Sequence, residues 1–265
     1  MRLLFNGYRG RMGSILVPEL AAQADIEVVA VCDVTSTETE WLLPQGQRLP
    51  AFADLEQAID VSGAEVLVDF TVAAAVPATL KAALSRGVHC VVGTTGVGIE
   101  QFQELYKNAK PGCGLFFAPN FTLGAVLMQY FAKQAAVYFE AVEVIEFHHD
   151  GKKDAPSGTA VNTAREMATA RKAAGVSSAA PGRDSEIDGC QGARGADVGG
   201  IPVHSVRGGG FMAHQEVILS SLGQTLTIRH DSIDRLSYLP GVLLAVRKVA
   251  SLPGFTVGLE DLLDL

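Results

Sequence analysis

The chain predicts an α/β fold in which a doubly wound parallel sheet is joined to a second α+β domain built on a mixed sheet. Three observations carry this. Short continuous apolar runs alternate with helical patterns from Arg2 to about Phe121, a glycine-rich turn closes the first run, and from Ala141 onward the runs become alternating apolar and polar segments.

The first run, Arg2 to Asn6, leads into Gly7-Tyr8-Arg9-Gly10-Arg11-Met12-Gly13 and then an apolar-periodic helix. A glycine at the strand end lets the chain reverse, one in the loop admits a pyrophosphate close to backbone amides, and Gly13 lets helix and strand pack tightly. That is the build of a Rossmann-like dinucleotide turn. The spacing is G-x-x-G-x-x-G, with Arg9 where the common motif has its middle glycine, so the motif needs support from position. Glu27 to Cys32 supplies it as a second strand ending in Asp33, about twenty residues past the last glycine, where an acid hydrogen-bonds the adenosine ribose. Strands at Ala64 to Phe70, His89 to Val92 and Leu115 to Ala118 follow, separated by helices that end near Arg86 and Ala109. Ligands bind at the carboxyl ends of such strands, and two ends are polar loops: Gly93-Thr94-Thr95-Gly96 and Ala118-Pro119-Asn120-Phe121.

A helix from about Thr122 to Tyr138 opens the second part, so a dinucleotide-binding domain at 1–121, completed by 236–265, is expected beside a domain at 122–235. Alternating segments at Ala141 to Phe147, Val203 to Arg207, Gln215 to Ser220 and Gln224 to Arg229 predict its mixed or antiparallel sheet. In the first of these, Val142, Val144 and Phe147 are set against Glu143 and Glu146. Residues 173 to 202, rich in Gly, Ala and Ser, read as a long mobile loop bordering a pocket, as a lid would. Asp234 to Val249 reads as a helix with Leu239, Leu243, Leu244 and Val246 on its apolar face, followed by a last strand near Phe255 to Val257.

At 265 residues and 48% apolar composition the chain has ample core for two lobes. A net charge of −8 with scattered Lys and Arg argues against nucleic acid, which needs a clustered positive surface. No apolar run approaches the roughly twenty residues that cross a bilayer, and there is no room for a secretory signal before the first strand, so a cytoplasmic protein with no membrane partner is expected. Cys32, Cys90, Cys113 and Cys190 show no C-x-x-C pairing and three of them sit in apolar segments, where buried reduced thiols are expected, and no metal site is expected.

The stretch Glu146-Phe147-His148-His149-Asp150-Gly151-Lys152-Lys153-Asp154-Ala155-Pro156-Ser157-Gly158-Thr159 gathers proton donors, cations and a helix start. The strand delivers His148 and His149 to a loop mouth. Asp154, Pro156 and Ser157 then set up a helix whose Gly158 and Thr159 amides face anything negative, which suits a dicarboxylate. Ser157 sits in P-S-G-T at a helix start, where N-capping explains it better than a nucleophile's role. Arg194 and Arg207, near glycines, are candidate anion contacts, and His89, His204, His214 and His230 read as structural.

Taken together, H-H-x-x-K at His148, His149 and Lys152, D-A-P-S-G-T at Asp154 to Thr159, Asp69-Phe70-Thr71, the two loops at 93–96 and 118–121, and the Gly7 to Gly13 turn resemble the bacterial dihydrodipicolinate reductase (4-hydroxy-tetrahydrodipicolinate reductase) family of diaminopimelate and lysine biosynthesis. The resemblance covers nearly the whole chain, and the H-H-x-x-K and D-A-P-S-G-T pair is its most specific part. It implies NAD(P)H-dependent reduction of a cyclic imine dicarboxylate by a homotetramer associated through its second-domain sheets. By residue matching it gives His148 and Lys152 as catalytic proton-transfer groups, and His149, Gly158 and Thr159 as substrate contacts. Gly7, Tyr8, Arg9, Gly10, Arg11, Met12, Asp33, Gly93, Thr94, Thr95, Ala118, Pro119, Asn120 and Phe121 become cofactor contacts. Tyr8-Arg9 replaces the small pair usual in the turn, and Val34 follows Asp33 where some relatives carry an arginine for a 2′-phosphate. Asp33 beside Val34 favours NADH over NADPH, with Arg9 and Arg11 able to offset part of that preference. An aspartate dehydrogenase of similar build would not require the H-H-x-x-K and D-A-P-S-G-T pair, and a non-catalytic dinucleotide sensor would lose it.

Overall fold

The computed structural model of the chain describes residues 1–176, 192–252 and 254–263. They fall into two compact units, one formed by Met1–Leu123 with Arg235–Leu265 and the other by Gly124–Asp234.

The first unit runs β1 (Arg2–Asn6), α1 (Gly13–Ala21), β2 (Glu27–Cys32), β3 (Glu40–Leu42), β4 (Arg48–Phe52), α2 (Leu55–Ser62), β5 (Val66–Asp69), α3 (Val76–Arg86), β6 (His89–Val92), α4 (Ile99–Tyr106) and β7 (Gly114–Phe117). It regains the chain at α7 (Leu239–Lys248) and β13 (Gly254–Val257). The strands lie in the order β13-β7-β6-β5-β1-β2-β4-β3, every neighbouring pair parallel except β3 with β4. This is the doubly wound parallel sheet that the apolar runs predict. Leu3, Leu4 and Phe5 of β1 and Val66, Leu67 and Val68 of β5 are all buried because helices cover both faces of the sheet. The strand order reverses at β1, and there Asn6 and Asp69, at the carboxyl ends of β1 and β5, lie in register as partners.

The β3–β4 hairpin was not legible in the sequence. Its buried residues Leu43 and Leu49 stand among polar ones with no clear period, and Trp41 finds its partner in a distant segment, the ring of Tyr8 at 5.0 Å between centroids. The last helix also starts later than expected: a 3-10 turn at Arg235–Tyr238 precedes α7, whose first turn holds Pro240.

The second unit contains α5 (Leu123–Ala135, its first residue in the other unit), β8 (Ala141–His148), α6 (Gly158–Ala173), β9 (Ala196–Val198), β10 (Ile201–Arg207), β11 (Ala213–Ser221) and β12 (Gln224–Ser232). Its sheet has the order β12-β11-β8-β10-β9; β8 and β10 are parallel and the other pairs antiparallel, so the sheet is mixed. Ala160, Ala164 and Met167 of α6 pack on Val142, Val144, Val203, Val217 and Leu219 as one core cluster. Strand period corrects the division drawn above between Val142, Val144 and Phe147 on one side and the acids on the other. Residues 142, 144, 146 and 148 share a face, so Glu146 lies buried with the valines. Of the 173–202 loop, residues 177–191 lie outside the described residues, and β9 and the start of β10 occupy its end because Ile201, Pro202 and Val203 pair with 196–198.

Among the described residues no helix is long and apolar enough to cross a membrane, and no group of three or more His, Cys, Asp or Glu could hold a metal. Cys32, Cys90 and Cys113 are free and buried, and burial pushes the Cys32 thiol up to about 12, away from reactivity; Cys190 lies outside the described residues.

Candidate active site

Each unit carries one cluster of the residues marked by the sequence. In the first, Gly7 turns the chain at φ +91 while its amide donates to the Cys32 carbonyl at 2.7 Å. A Cβ there would lie 2.6 Å from the Phe70 carbonyl oxygen, so glycine is required. A Cβ on Gly13 would lie 2.3 Å from the Gly7 carbonyl oxygen, which shows how tightly α1 is pressed onto the turn. The amides of Arg9, Arg11 and Met12 have no acceptor among the described residues, as a turn built for an anion at a helix start requires. Beside the turn lies a cavity of about 560 Å³, lined among others by Gly7, Gly10, Asp33, Val34 and Thr71, large enough for a nucleoside. Asp33 Oδ1 accepts from the Thr35 amide at 2.9 Å and hydroxyl at 2.7 Å, while no described donor reaches Oδ2, which stays open as an acceptor. A dinucleotide therefore fits this half.

Other residues marked in this unit divide by what their side chains touch. Tyr8 is buried, its hydroxyl donating to Glu38 Oε1 at 2.6 Å; burial first and this bond second push that hydroxyl's pKa up. Arg9 Nη1 lies 3.2 Å from Glu38 Oε2 and donates also to the Thr35 carbonyl, while the Arg11 side chain has no described partner. Thr94 is buried and gives its hydroxyl to Asp69 Oδ1 at 2.5 Å, whereas Thr95 is exposed. Gly93 admits the ring of Phe70, whose Cε1 lies 2.2 Å from where a Cβ would stand. Ala118 and Phe121 are buried, Pro119 is exposed, and Asn120 Oδ1 accepts from the Thr122 amide at 2.9 Å. Met12 caps α1 without a side-chain bond.

In the second unit β8 delivers His148 at its last position, and His149 follows exposed in the turn. His148 Nδ1 lies 2.5 Å from Glu146 Oε2. Glu146 is fully buried and takes two further bonds from Arg207, Nη1 to Oε2 and Nη2 to Oε1, both at 2.8 Å, and one from the Ser157 amide to Oε1 at 3.1 Å. Burial raises the Glu146 carboxyl, but bonds from Arg207, Ser205 and His148 outweigh it and hold the group below its usual range. Burial likewise lowers His148; Glu146 opposes this, and Lys152 and Arg207 add to it. The Lys152 ammonium pairs with Asp154 Oδ1 at 2.9 Å, and that bond holds Asp154 below its usual range. Ser157 caps α6, accepting from the Ala160 amide at 3.2 Å. A Cβ on Gly158 would meet nothing within 4 Å, so open space fronts the first turn, where Thr159 is half-buried.

A second cavity, of about 460 Å³, is lined by Ala155, Pro156, His204 and Ser205 with Gly192 and Gly195; His148 and Lys152 are not among its described lining residues. Neither arginine marked as an anion contact is spare. Arg207 is bound to Glu146, and Arg194 lies 2.7 Å from Glu143 Oε1, whose other oxygen meets His204 Nε2 at 2.9 Å. The sequence reading gave no role to Glu146 or Asp69. A signal existed for each: Glu146 stands two residues before His148 in a strand, hence on its face, and Asp69 is a charge closing an otherwise apolar buried run.

Comparison with known proteins agrees across the whole chain. Residues 1–121 match the family model described as dihydrodipicolinate reductase, N-terminus, and residues 124–263 match dihydrodipicolinate reductase, C-terminus. The chain is 48% identical to the 4-hydroxy-tetrahydrodipicolinate reductases of Mycolicibacterium vanbaalenii and Mycolicibacterium smegmatis, with 100% of each chain covered. Among solved structures, a dipicolinate-bound dihydrodipicolinate reductase from Paenisporosarcina sp. TG-14 superposes with a TM-score of 0.85 at 38% identity, covering 98% of both chains.

Proposed function

The chain belongs to the dihydrodipicolinate reductase family, and from that premise we propose that it reduces 4-hydroxy-tetrahydrodipicolinate to tetrahydrodipicolinate, a step of diaminopimelate and lysine biosynthesis in which a hydride and a proton are taken up and the 4-hydroxyl leaves as water. The observation that carries the reading is that Glu146 binds both His148 and the Ser157 amide at the α6 start, while Lys152 pairs with Asp154, whose carbonyl accepts from the same Arg207 that holds Glu146.

A reduced nicotinamide dinucleotide supplies the hydride when bound. The Gly7 to Met12 turn and Asp33 hold its adenosine and pyrophosphate, with the 93–95 and 118–121 loops offering backbone groups, Thr95 and Asn120 to the other end. Gly158 and Thr159 amides and the Lys152 ammonium receive the substrate carboxylates, and His149 adds an exposed donor beside them. A reductase must also supply a proton to the ring. We assign the donation to Lys152, whose ammonium stands in the turn after His148, and proton exchange within the site to His148, whose charged form burial disfavours.

NADH is the preferred cofactor. Asp33 presents a free carboxylate oxygen with the apolar, 86% exposed Val34 after it; of the two cations that could serve a 2′-phosphate, Arg9 is paired with Glu38 and Arg11 has no described partner, so the preference is modest. A homotetramer, taken to be cytoplasmic, completes the proposal; exposed Leu222, Leu226 and Ile233 on and beside edge strand β12 support the self-association, and light scattering checks the tetramer.

The deciding experiment follows NADH and NADPH absorbance with enzymatically generated 4-hydroxy-tetrahydrodipicolinate. Oxidation of cofactor that requires both enzyme and substrate is expected. Its absence with both cofactors overturns the assignment.

A further inference from the structure

We propose that Glu146 is the positioning residue of this site: one buried carboxylate fixes the tautomer and orientation of His148 and, through the Ser157 amide, the place of the α6 start. The inference rests on the reading of His148 as a proton-transfer group and deepens it.

The geometry leaves the carboxylate no slack. Oε1 accepts from Arg207 Nη2 and from the Ser157 amide, and Oε2 accepts from Arg207 Nη1 and faces His148 Nδ1. The partners come from different segments: His148 from the end of β8, Arg207 from the end of β10, and Ser157 from the cap of α6. An ionised carboxylate only accepts, so the proton on a neutral His148 ring sits on Nδ1, and Nε2 keeps a lone pair for the substrate side. The cation is part of the device. Without Arg207 the carboxylate would hold His148 as a lasting imidazolium; with it, the pair is close to neutral and the ring stays free to exchange a proton.

The register supports this. Ser205 and Arg207 of β10 lie opposite Glu146 and His148 of β8, and on the other side β11 places the uncharged Gln215 and Ala213 opposite the same two residues. Among the described residues, the charged groups that face the pair are therefore Arg207 and, from the turn, Lys152 with its partner Asp154.

The test uses the full-length protein labelled with 15N-histidine, in which Glu146→Gln, Glu146→Asp and Arg207→Gln are compared with the parent. The His148 signals are identified by their loss in His148→Gln. The parent should show an Nδ1-protonated ring. Glu146→Gln should give a tautomer mixture and lower kcat by about ten- to hundredfold with NADH affinity unchanged, and Glu146→Asp should fall between the two. Arg207→Gln should move the His148 titration to higher pH, because it removes a nearby cation and leaves Glu146 uncompensated. A His148 ring that keeps its tautomer in Glu146→Gln with kcat within twofold of the parent overturns the proposal. Should that variant not fold, an unmoved His148 titration in Arg207→Gln together with parent-like kcat in Glu146→Asp overturns it equally. Failure of the underlying reading is separate: His148→Gln would then turn over at the parent rate whatever the ring signals show.

Discussion

Two fully buried carboxylates, one in each unit, make opposite uses of burial. Asp69 is surrounded by neutral donors, namely Asn6 Nδ2, the Thr94 hydroxyl and the Thr71 hydroxyl and amide, and burial raises its pKa although those bonds pull the other way. Glu146 meets the Arg207 guanidinium, and although burial is again the largest influence, the net direction is down. The first ties together the ends of β1, β5 and β6, where loops shape a backbone cradle. The second aligns charged and titratable side chains. Recognition by backbone needs rigid strand ends and tolerates a neutral hub, whereas proton transfer needs charges balanced within one site.

That contrast can be broken most severely at its glycines. Gly13→Ala sets a Cβ 2.3 Å from one backbone atom and 2.5 Å from another, so the turn must deform, and urea denaturation should show a loss of more than about 3 kcal/mol or no folded protein. Gly158→Ala meets nothing and should hold stability within about 1 kcal/mol while raising KM for the dicarboxylate. Equal stability losses from both would erase the distinction between a packed cradle and an open anion site.

Next in size is Lys152→Ala. Its expected cost is roughly a hundred- to ten-thousandfold in kcat, with weaker substrate binding and unaltered NADH affinity, since the cation attracts carboxylates and supplies the proton. His149→Gln should act chiefly through KM. Turnover of Lys152→Ala near the parent rate would remove the second unit's charge cluster from the chemistry.

A smaller effect tests the ribose end. Asp33→Ser should move the ratio of kcat/KM values toward NADPH by about tenfold, and Glu38→Gln, which releases Arg9, should move it the same way by less, read also as tighter binding of 2′,5′-ADP. Ratios that stay fixed in both variants would show that neither group reads the 2′ position.

The smallest effect is the pH dependence of stability. Glu146 has a depressed folded pKa, so its contribution is present above its unfolded value near about 4.3 and is lost as pH falls through the folded value. Asp69 has a raised one, so its contribution is full below about 3.9 and lost as pH rises through the folded value. Denaturation from acid to neutral pH should therefore find that Glu146→Gln flattens the acid limb, while Asp69→Asn steepens the net rise. Slopes changing in the same direction would mean that the two carboxylates do not differ as described.

The parallel sheet was legible because its strands are buried on both faces and read as unbroken apolar runs, and the nucleotide turn because glycine spacing and an acid two strands' reach away are local signals. The Ser157 cap, and the nearness of His148 and Lys152 to it, were legible for the same reason, all three standing within ten residues of one another. What the sequence determined by itself is whatever follows from backbone geometry and near neighbours. Only the tertiary structure decided that Arg207 answers Glu146 across sixty-one positions, that Glu38 takes Arg9 and Tyr8, and that Thr94 serves Asp69 instead of facing outward. A buried charge is stable only when its partner arrives, and that partner is chosen by strand register and loop closure, which no local pattern encodes.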